Sequence, residues 1–454
     1  MLAATLMAAG CNNAAKEGED DENTSGEVKT DTRNLVFSIP TKDVDDHIYD
    51  ARPAFTLHFE NPDDFAVKSE VKVRITTDKR KDAKDIKLPF EVPAKGTLDL
   101  PFTTDYDLAA GFYNANCFVN GKAPEDGSGN IVFGISPTQI VSAPDKQPDY
   151  DSFWETALSQ LPEINEESCT LTPIPEKSKG NSNVYLVQMK SVPDGLTGDP
   201  VTVRGYYCEP KDGKKHPVFV HFFGYDDQKP TSEAFCPSGS EKGYAEFYLS
   251  TRGQMVNNRP AKLRDDGVAE DFTNTYGDWF AFHFGDKNSY YYRGAFMDCV
   301  QAVRFMATRS TSDMSTLYAE GSSQGGAFTY AAAALSGYQF TAIAPCVAFL
   351  GDFPDYFDIV GWPAETARAN KGTMTDDEMY AFLSYFDTKN LATRISCPVI
   401  AAICLKDQTC PPHTNIAPYN NLKSTVKEIH YYPKLGHAIP PTWPKAYADF
   451  FAKQ

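Results

Sequence analysis

The chain has 454 residues, more than a single hydrophobic core usually serves, so we expect more than one domain. A hydrophobic content of 41% and an aromatic content of 13% indicate folded, globular material. The formal net charge of −18 would repel nucleic-acid phosphates and anionic lipid head groups, so it excludes nucleic-acid binding and suits an uncharged substrate.

The chain starts with MLAATLMAAGC, in which small residues directly precede Cys11. Segment 1–11 resembles the end of a bacterial lipoprotein signal, with Cys11 as the lipidated residue; a plain secretory signal or an irregular terminus is the alternative. Residues 12–32 are acidic and polar, which predicts a disordered tether. No later segment reaches the roughly 18 consecutive apolar residues of a membrane-spanning helix. We therefore expect an exported lipoprotein, periplasmic or at the cell surface, that contacts the membrane only through its anchor.

Residues 33–141 consist of short segments in which apolar and polar residues alternate, separated by turn-rich pieces such as NPDD. Seven segments have this pattern: NLVFSI, AFTLHFE, EVKVRITT, IKLPFEV, GTLDLPF, FYNANCFV and NIVFGIS. Regularly spaced short strands predict an immunoglobulin-like β-sandwich. His47 and His58 are isolated, so we interpret both as structural or surface residues. The module is expected to be a spacer or a binding module.

Residues 142–454 have a different pattern, beginning with a proline-containing link and an amphipathic helix near Asp151. Beyond this helix, apolar strands alternate with helices. The predicted strands are HPVFVHFFGY, STLYAEG, FTAIAPCVAF, CPVIAAICL and KEIHYYP, and the predicted helices are YYYRGAFMDCVQAVRFMATR and GGAFTYAAAAL. This alternation predicts an α/β domain with a mainly parallel sheet and helices on both faces. Each part has apolar residues for its own core, so we expect the two parts to be separable.

The segment LYAEGSSQGGAF predicts a strand, a tight turn and a helix, with two adjacent serines in the turn. This is the nucleophile-elbow arrangement of α/β-hydrolases. The turn is so sharp that the positions two before and two after the nucleophile must be free of side chains. Gly321 and Gly325 satisfy this condition around Ser323, whereas larger residues occupy the same positions around Ser322. Ser323 is therefore the predicted nucleophile; a glycine-rich turn without chemistry is the alternative.

A serine nucleophile needs a base that removes its proton and an acid that orients the base. In α/β-hydrolases the chain order is serine, acid and histidine, with the last two on loops after late strands. Asp407 follows the strand CPVIAAICL, and His437 follows the strand KEIHYYP. The order and the strand positions predict a Ser323–Asp407–His437 triad.

Other residues compete for these roles. Asp387 could be the acid, although it precedes a strand instead of following one. His413 is expected on the same loop as Asp407, His430 inside a strand, and His283 in a loop.

An acyl-transfer site also needs donors for the developing oxyanion. One predicted donor is the main-chain N–H of Gln324, directly after the nucleophile. The second is the main-chain N–H of Tyr225, at the end of HPVFVHFFGY, the first strong strand of the α/β part. The alternative is that Gly224-Tyr225 is only a turn.

The chain has ten cysteines and no C-x-x-C spacing, so neither a zinc site nor a redox motif is predicted. If Cys11 is lipidated, nine remain, an odd number that cannot pair completely. We expect most of these cysteines to be buried free thiols, while one disulfide is compatible with an exported protein. The proposed chemistry needs neither a metal nor an organic cofactor.

Several motifs spread from residue 142 to the C-terminus resemble one family, the acetyl xylan esterase and cephalosporin C deacetylase group (carbohydrate esterase family seven) of the α/β-hydrolase superfamily. The matching segments are DYDSFWETAL, HFFGYDD, TRGQ, YYYRGAFMDCVQAVRFM, GSSQGGAF, LSYFDTKNLATRISCPV, DQTCPP and YPKLGH. The resemblance implies an α/β-hydrolase fold and a serine esterase that removes acetyl groups from acetylated xylan, xylo-oligosaccharides or similar sugars. It also implies the same triad and the same two main-chain oxyanion donors.

By the same resemblance, Arg252 and Gln254 of TRGQ organise the site without taking part in catalysis. The sequence departs from the family at Ala438, where a glutamate usually follows the histidine. Members often form closed hexamers, which implies a homo-oligomer here, although an added β-rich module would alter that assembly. Two alternatives remain open: a peptidase of the prolyl-oligopeptidase type and a non-catalytic carbohydrate-binding surface protein.

Overall fold

A computed structural model describes residues 27–40, 46–124, 129–195, 198–225, 243–254, 256 and 278–454. The predicted signal segment with Cys11 and residues 12–26 of the predicted tether lie outside these described residues. Within the described ranges, none of the helices has the length and apolar character that crossing a lipid bilayer requires.

The N-terminal module is built from strands, and all seven segments predicted from alternation form one. The strands are β1 (Val28–Lys29), β2 (Val36–Ser38), β3 (Ile48–Tyr49), β4 (Ala54–Glu60), β5 (Ala66–Thr77), β6 (Lys84–Val92), β7 (Thr97–Thr103), β8 (Gly111–Val119) and β9 (Asn130–Ile135). One sheet has the order β1-β5-β8-β9-β3 with β6 also paired to β5, and the other has the order β2-β4-β7. The two-residue strands β1 and β3 were not predicted from the sequence, since two residues are too few to show alternation.

The module has its own hydrophobic core, because alternate residues of both sheets point inward. Phe59 lies at its centre and stacks on Phe37 and Phe90, with ring centroids 5.6 and 4.3 Å apart. The two histidines have structural surroundings, as predicted: Nδ1 of His47 lies 3.2 Å from the carbonyl oxygen of Val132, and His58 pairs with a strand carboxylate.

The second domain contains a nine-stranded sheet. Its strands are β10 (Cys169–Pro173), β11 (Ser182–Pro193), β12 (Pro200–Pro210), β13 (His216–Phe222), β14 (Ala245–Ser250), β15 (Ser312–Ser322), β16 (Ala342–Cys346), β17 (Val399–Cys404) and β18 (Lys427–Tyr432). The order across the sheet is β10-β11-β12-β14-β13-β15-β16-β17-β18. The pairs from β14 to β18 are parallel, whereas β10, β11 and β12 are antiparallel.

Three antiparallel strands that were not predicted from the sequence, β10, β11 and β12, precede β13 in this domain. Residues Val201 to Cys208 of β12 are buried without interruption, so this strand lacks the alternation typical of a sheet edge. The parallel part of the sheet still places β13, β15, β17 and β18 with their carboxyl ends on one edge, where open α/β sheets bind ligands.

Helices cover both faces of this sheet. They are α1 (Tyr150–Ser159), α2 (Tyr291–Ala307), α3 (Gln324–Leu335), α4 (Phe353–Ile359), α5 (Ala364–Asn370), α6 (Asp376–Leu383), α7 (Thr388–Ala392), α8 (Pro412–Asn420) and α9 (Trp443–Phe451). Helices α2 and α3 contribute to the main core on one face, and the aromatic residues of α9 contribute to a second cluster on the other.

The two domains also contact each other. Phe112 and Val132 of the module are buried within the hydrophobic core of the second domain. Lys81 pairs with Asp358 at 3.1 Å, and the side-chain amide of Asn420 donates to the main-chain carbonyls of Pro137 and Ile140 at the end of the module. Each domain therefore has its own core, and an apolar and ionic interface joins them.

Eight cysteines lie in the described part of the chain, and all eight are buried free thiols. The predicted buried thiols are thus observed, and among these residues there is no disulfide. Cys236 lies outside the described ranges.

Candidate active site

Ser323 occupies a strained turn between the end of β15 and the first residue of α3. Its φ of 59° and ψ of −121° lie in a region that residues with a side chain rarely adopt. A Cβ atom on Gly321 would lie 2.3 Å from the carbonyl oxygen of Gly325, and one on Gly325 would lie 2.1 Å from that of Phe222. Both positions therefore require glycine, as the sequence pattern around Ser323 predicted.

The structure brings the three predicted triad residues together. Oγ of Ser323 lies 2.9 Å from Nε2 of His437, and Nδ1 of the same ring lies 2.7 Å from Oδ2 of Asp407. The Asp407 side chain is fully buried, and its other oxygen accepts hydrogen bonds from the main-chain amides of Thr409 and Cys410, both at 2.8 Å. These amides hold the carboxylate in place, so that it can fix the tautomer and orientation of the imidazole.

Asp387, the alternative acid, has a different environment. It precedes α7 and accepts hydrogen bonds from the main-chain amides of Asp352 (2.9 Å), Phe353 (3.1 Å) and Lys389 (2.9 Å). Burial raises the pKa of this carboxyl to about 7. Asp387 thus connects the start of α4 with the start of α7. Both of its carboxylate oxygens accept these main-chain hydrogen bonds, so its role is structural.

His413 lies in α8 and not on the loop of Asp407, which corrects the expectation from the sequence. The prolines before it begin a helix, since the first helical positions tolerate proline. Nε2 of His413 lies 3.0 Å from carboxylate oxygens of both Asp352 and Asp355. Burial alone would lower the pKa of His413, but these two carboxylates raise it to about 9.

These three side chains could also be considered as metal ligands, because their ligand atoms lie within 4.8 Å of one another. However, Nζ of Lys389 lies 2.8 Å from Asp352, and Lys79 forms an ion pair with Asp355. The cluster already contains the positive charge that its carboxylates need. The other two histidines that competed for the role of base have partners close to them in the chain. His430 in β18 pairs with Glu428, and the ring of His283, which lies in a turn, contacts the ring of Phe282.

The two predicted oxyanion donors lie next to the nucleophile. Gln324 is the first residue of α3, where helix geometry leaves the main-chain N–H without a partner inside the helix. Gly224 and Tyr225 follow β13 and line the same cavity of about 480 Å³ as Ser323 and His437. The Tyr225 hydroxyl donates to Oδ1 of Asp278 at 2.8 Å and accepts from the main-chain amide of Trp279 at 3.0 Å. These bonds hold the segment that carries the second predicted donor.

Gln254 supports the residue after the nucleophile. Its side-chain amide pairs reciprocally with that of Gln324, with N–O distances of 3.2 and 3.1 Å. Gln324 Oε1 also accepts from the hydroxyl of Tyr292 at 3.1 Å, and Gln254 donates to that of Tyr291 at 2.6 Å. All four side chains are buried, so this network fixes the start of α3 from behind the site.

Arg252 forms a buried ion pair with Asp298 in α2. Its guanidinium donates to both carboxylate oxygens, at 3.0 and 2.7 Å, and its main-chain amide donates to the same group at 3.1 Å. A Cβ atom on Gly294 would lie 2.2 Å from this guanidinium, so the glycine makes room for it. Arg252 thus contacts Asp298 in α2, and Gln254 contacts Gln324 at the start of α3. Their role as organisers of the site, which the resemblance implied, stays a prediction.

Sequence reasoning missed several residues at this site. Asp278 holds the Tyr225 hydroxyl, while Trp362 and Phe349 line the cavity. Behind the site, Nδ1 of buried His221 in β13 lies 2.7 Å from Glu320 in β15. No local pattern marks Asp278 or Trp362, because their contacts form only after folding; the pairing of His221 with Glu320 could have been found from the register of the two neighbouring strands.

The fold and the arrangement around Ser323 define an α/β-hydrolase. The chain resembles an acetyl xylan esterase from Paenibacillus sp. R4 with 26% identity and a TM-score of 0.57, covering 70% of this chain and 98% of that one. It has the same fold as acetyl xylan esterase 1 from Thermoanaerobacterium, with 23% identity and a TM-score of 0.57, covering 70% of this chain and 96% of that one. The predicted fold, an α/β-hydrolase preceded by a β-rich region, is confirmed.

The acetyl xylan esterase family (AXE1) matches the chain over residues 139–454. The chain is also 24% identical to acetyl esterase Axe7A from Xylanibacter ruminicola, over 68% of this chain and 67% of the relative. The chain belongs to the acetyl xylan esterase family and is a carboxylic ester hydrolase, as the sequence motifs predicted.

Proposed function

We propose that this protein is an exported serine carbohydrate esterase that removes acetyl groups from acetylated xylan, xylo-oligosaccharides or similar sugars. The observation that carries the proposal is the hydrogen-bonded series Ser323–His437–Asp407 at a cavity in a chain of the acetyl xylan esterase family. A peptidase or a non-catalytic binding protein does not account as well for this family membership together with a complete triad.

In the proposed acylation step, Oγ of Ser323 attacks the carbonyl carbon of the acetyl ester. His437 Nε2 accepts the serine proton and then donates it to the departing sugar oxygen. Asp407 stabilises the imidazolium through Nδ1. Its two amide hydrogen bonds support this role, because they hold the carboxylate in the orientation that the imidazole needs.

In the proposed deacylation step, a water molecule gives a proton to His437 and attacks the carbonyl carbon of the acetyl-enzyme. The bond between this carbon and Oγ of Ser323 then breaks, His437 donates the proton to Oγ, and acetate leaves. The main-chain N–H groups of Tyr225 and Gln324 stabilise the oxyanion in both steps. Removing one such donor typically costs about 10²–10³-fold in kcat. The anchoring of Tyr225 by Asp278 and of Gln324 by Gln254 supports this assignment, since donors held in place need no reorganisation during the reaction.

The cavity supports an uncharged substrate. None of the eleven described residues that line it is Asp, Glu, Lys or Arg. The names of the Xylanibacter relative, an acetyl esterase, and of the Paenibacillus relative, an acetyl xylan esterase, point to acetylated xylan or its fragments.

We also propose export with a lipid anchor on Cys11, on the basis of the small residues before it. In this proposal the N-terminal β-module is a spacer or a binding module between the anchor and the enzyme. Metabolic labelling with a fatty acid, lost in Cys11→Ser, tests the anchor.

Acetate release from acetylated xylo-oligosaccharides tests the reaction. Ser323→Ala should lose at least about 10⁴-fold in kcat while keeping its fold, because removing a triad member has effects of that size. Ser322→Ala is the matched control and should keep substantial activity. Equal losses in both variants, or full activity in Ser323→Ala, would refute the assignment of the nucleophile. Cleavage of peptides but not of sugar esters would favour the peptidase alternative.

A further inference from the structure

Trp362 differs from the other tryptophans in its exposure. Trp154, Trp279 and Trp443 have at most 1% of their surface exposed, whereas Trp362 has 36% exposed. Trp362 lines the cavity of Ser323, together with Ile439, which is 58% exposed. Large apolar side chains that remain in water beside a site often mark a surface that binds a ligand.

The indole ring of Trp362 is held in a fixed orientation. It stacks on Phe349 with ring centroids 5.4 Å apart and an interplanar angle of 5°, and it meets the Tyr225 ring edge-on at 5.8 Å. Its Nε1–H donates to Oδ2 of Asp278 at 2.9 Å. The polar atom is therefore used inside the protein, and the part of the ring that faces the cavity can offer only carbon surface. A side chain fixed in this way loses little rotamer entropy when a ligand binds.

The same contacts set the position of the ring relative to the reacting atoms. The main-chain amide of Phe349 donates to the carbonyl oxygen of Ser323 at 3.0 Å, so the ring under Trp362 is tied to the nucleophile. Tyr225, which meets the indole edge-on, carries the second proposed oxyanion donor. A group resting on the indole is thus placed beside the ester that Ser323 attacks.

The chemistry of the surface limits what this group is. None of the described residues that line the cavity carries a carboxylate, an ammonium or a guanidinium group, so a charged ligand would find no counter-charge among them. A sugar ring presents C–H bonds on one face, with their positive ends outward, and these pack well on the negative face of an aromatic ring. An uncharged sugar such as xylose meets both conditions, whereas a sugar acid or a charged peptide does not.

We propose that Trp362 is the stacking platform for the uncharged sugar ring whose acetyl group is removed, and that it thereby determines specificity for sugar esters over simple esters. This inference rests on the proposed esterase function. It assigns Trp362 a contact with the leaving sugar and no part in proton transfer.

The test compares kcat/KM for acetylated xylo-oligosaccharides with kcat/KM for ethyl acetate, which has the same acyl group but no ring. In Trp362→Leu the ratio of the two values should fall about tenfold, since the aromatic surface is lost. In Trp362→Phe the ratio should stay within about threefold, since an aromatic surface remains although the bond to Asp278 is gone. Thr366→Val removes another hydrogen bond to Asp278, of 3.3 Å, and should leave the ratio unchanged.

A purely structural role of Trp362 would give a different result. Both esters would then be affected equally in Trp362→Leu, the ratio would stay constant, and the inference would be overturned. An equal fall of the ratio in Trp362→Phe and Trp362→Leu would overturn it as well, because the indole nitrogen and not the aromatic surface would then matter. If the unaltered protein does not hydrolyse acetylated xylo-oligosaccharides, the proposed function itself fails. If it hydrolyses both esters and the ratio stays constant in Trp362→Leu, the sugar platform alone fails.

Discussion

Replacing Gly325 by alanine tests whether the sharp turn at Ser323 depends on the absence of a side chain. The new Cβ would lie 2.1 Å from the carbonyl oxygen of Phe222, whereas ordinary van der Waals contact begins at 3.4 Å, so the two groups must separate by about 1.3 Å. Phe222 ends β13 and leads to Tyr225, so the movement would displace the proposed oxyanion donor. A misplacement of about 1 Å can cost about 10²-fold in rate. Overpacking of this kind typically costs about 1–3 kcal/mol of stability.

The expected result for Gly325→Ala is a fall of about 100-fold in kcat on p-nitrophenyl acetate and a lower free energy of unfolding in urea. The sign of the stability change is informative, because glycine to alanine within an unobstructed helix stabilises by up to about 1 kcal/mol. Gly436→Ala is the matched control: it lies next to His437, but its Cβ would lie 3.7 Å from Lys406 O, which is ordinary van der Waals contact. A Gly325→Ala protein that is both more stable and fully active would refute the steric reasoning.

Four further predictions concern the surroundings of the site. Asp298→Asn leaves the Arg252 charge buried without its partner and should cost about 3–5 kcal/mol in urea unfolding. Asp376→Asn is the control: it alters an exposed pair and should change the stability far less. Burial lowers the pKa of His221, but two carboxylates outweigh this effect and raise the pKa from 6.5 to about 9. The stability that the protein loses in His221→Gln should therefore be greatest below pH 6.5 and disappear as the pH rises through about 9. A loss of stability that does not change with pH would contradict this prediction. A chain starting at Ser142 should hydrolyse p-nitrophenyl acetate at a rate near that of the full chain. It should melt at a lower temperature, since it loses the apolar contacts with the module. An insoluble or inactive product would show that the module is part of the catalytic unit. Acetate esters should react faster than butyrate and longer esters, and a rate that rises with chain length would indicate a lipase-like site.

The residues of the candidate site could be predicted from the sequence because their signals are local. Gly321 and Gly325 mark the turn around Ser323, since a side chain at either position would overlap a main-chain carbonyl. Asp407 and His437 each follow a short apolar strand, and the parallel sheet brings the ends of such strands together. Chain order and strand position were therefore enough to choose these residues.

Features that depend on tertiary contacts could not be predicted in this way. Strand β12 is buried on both sides and shows no alternation, so its antiparallel pairing with β11 and β14 was missed. His413 follows two prolines, which suggested a loop, but the same prolines are compatible with the first turn of α8. Trp362 reaches the cavity only because Phe349 and Asp278, distant in sequence, hold its ring.

The buried thiols give the protein an internal reporter of its own opening. Burial raises the pKa of Cys117 and of Cys404 to about 12, so almost no reactive thiolate is present at neutral pH while the chain is folded. Cys117 lies in the core of the N-terminal module, and the other seven described thiols lie in the second domain. Time-resolved alkylation followed by peptide mass spectrometry can therefore record which of the two domains unfolds first, in the native chain and without an introduced label.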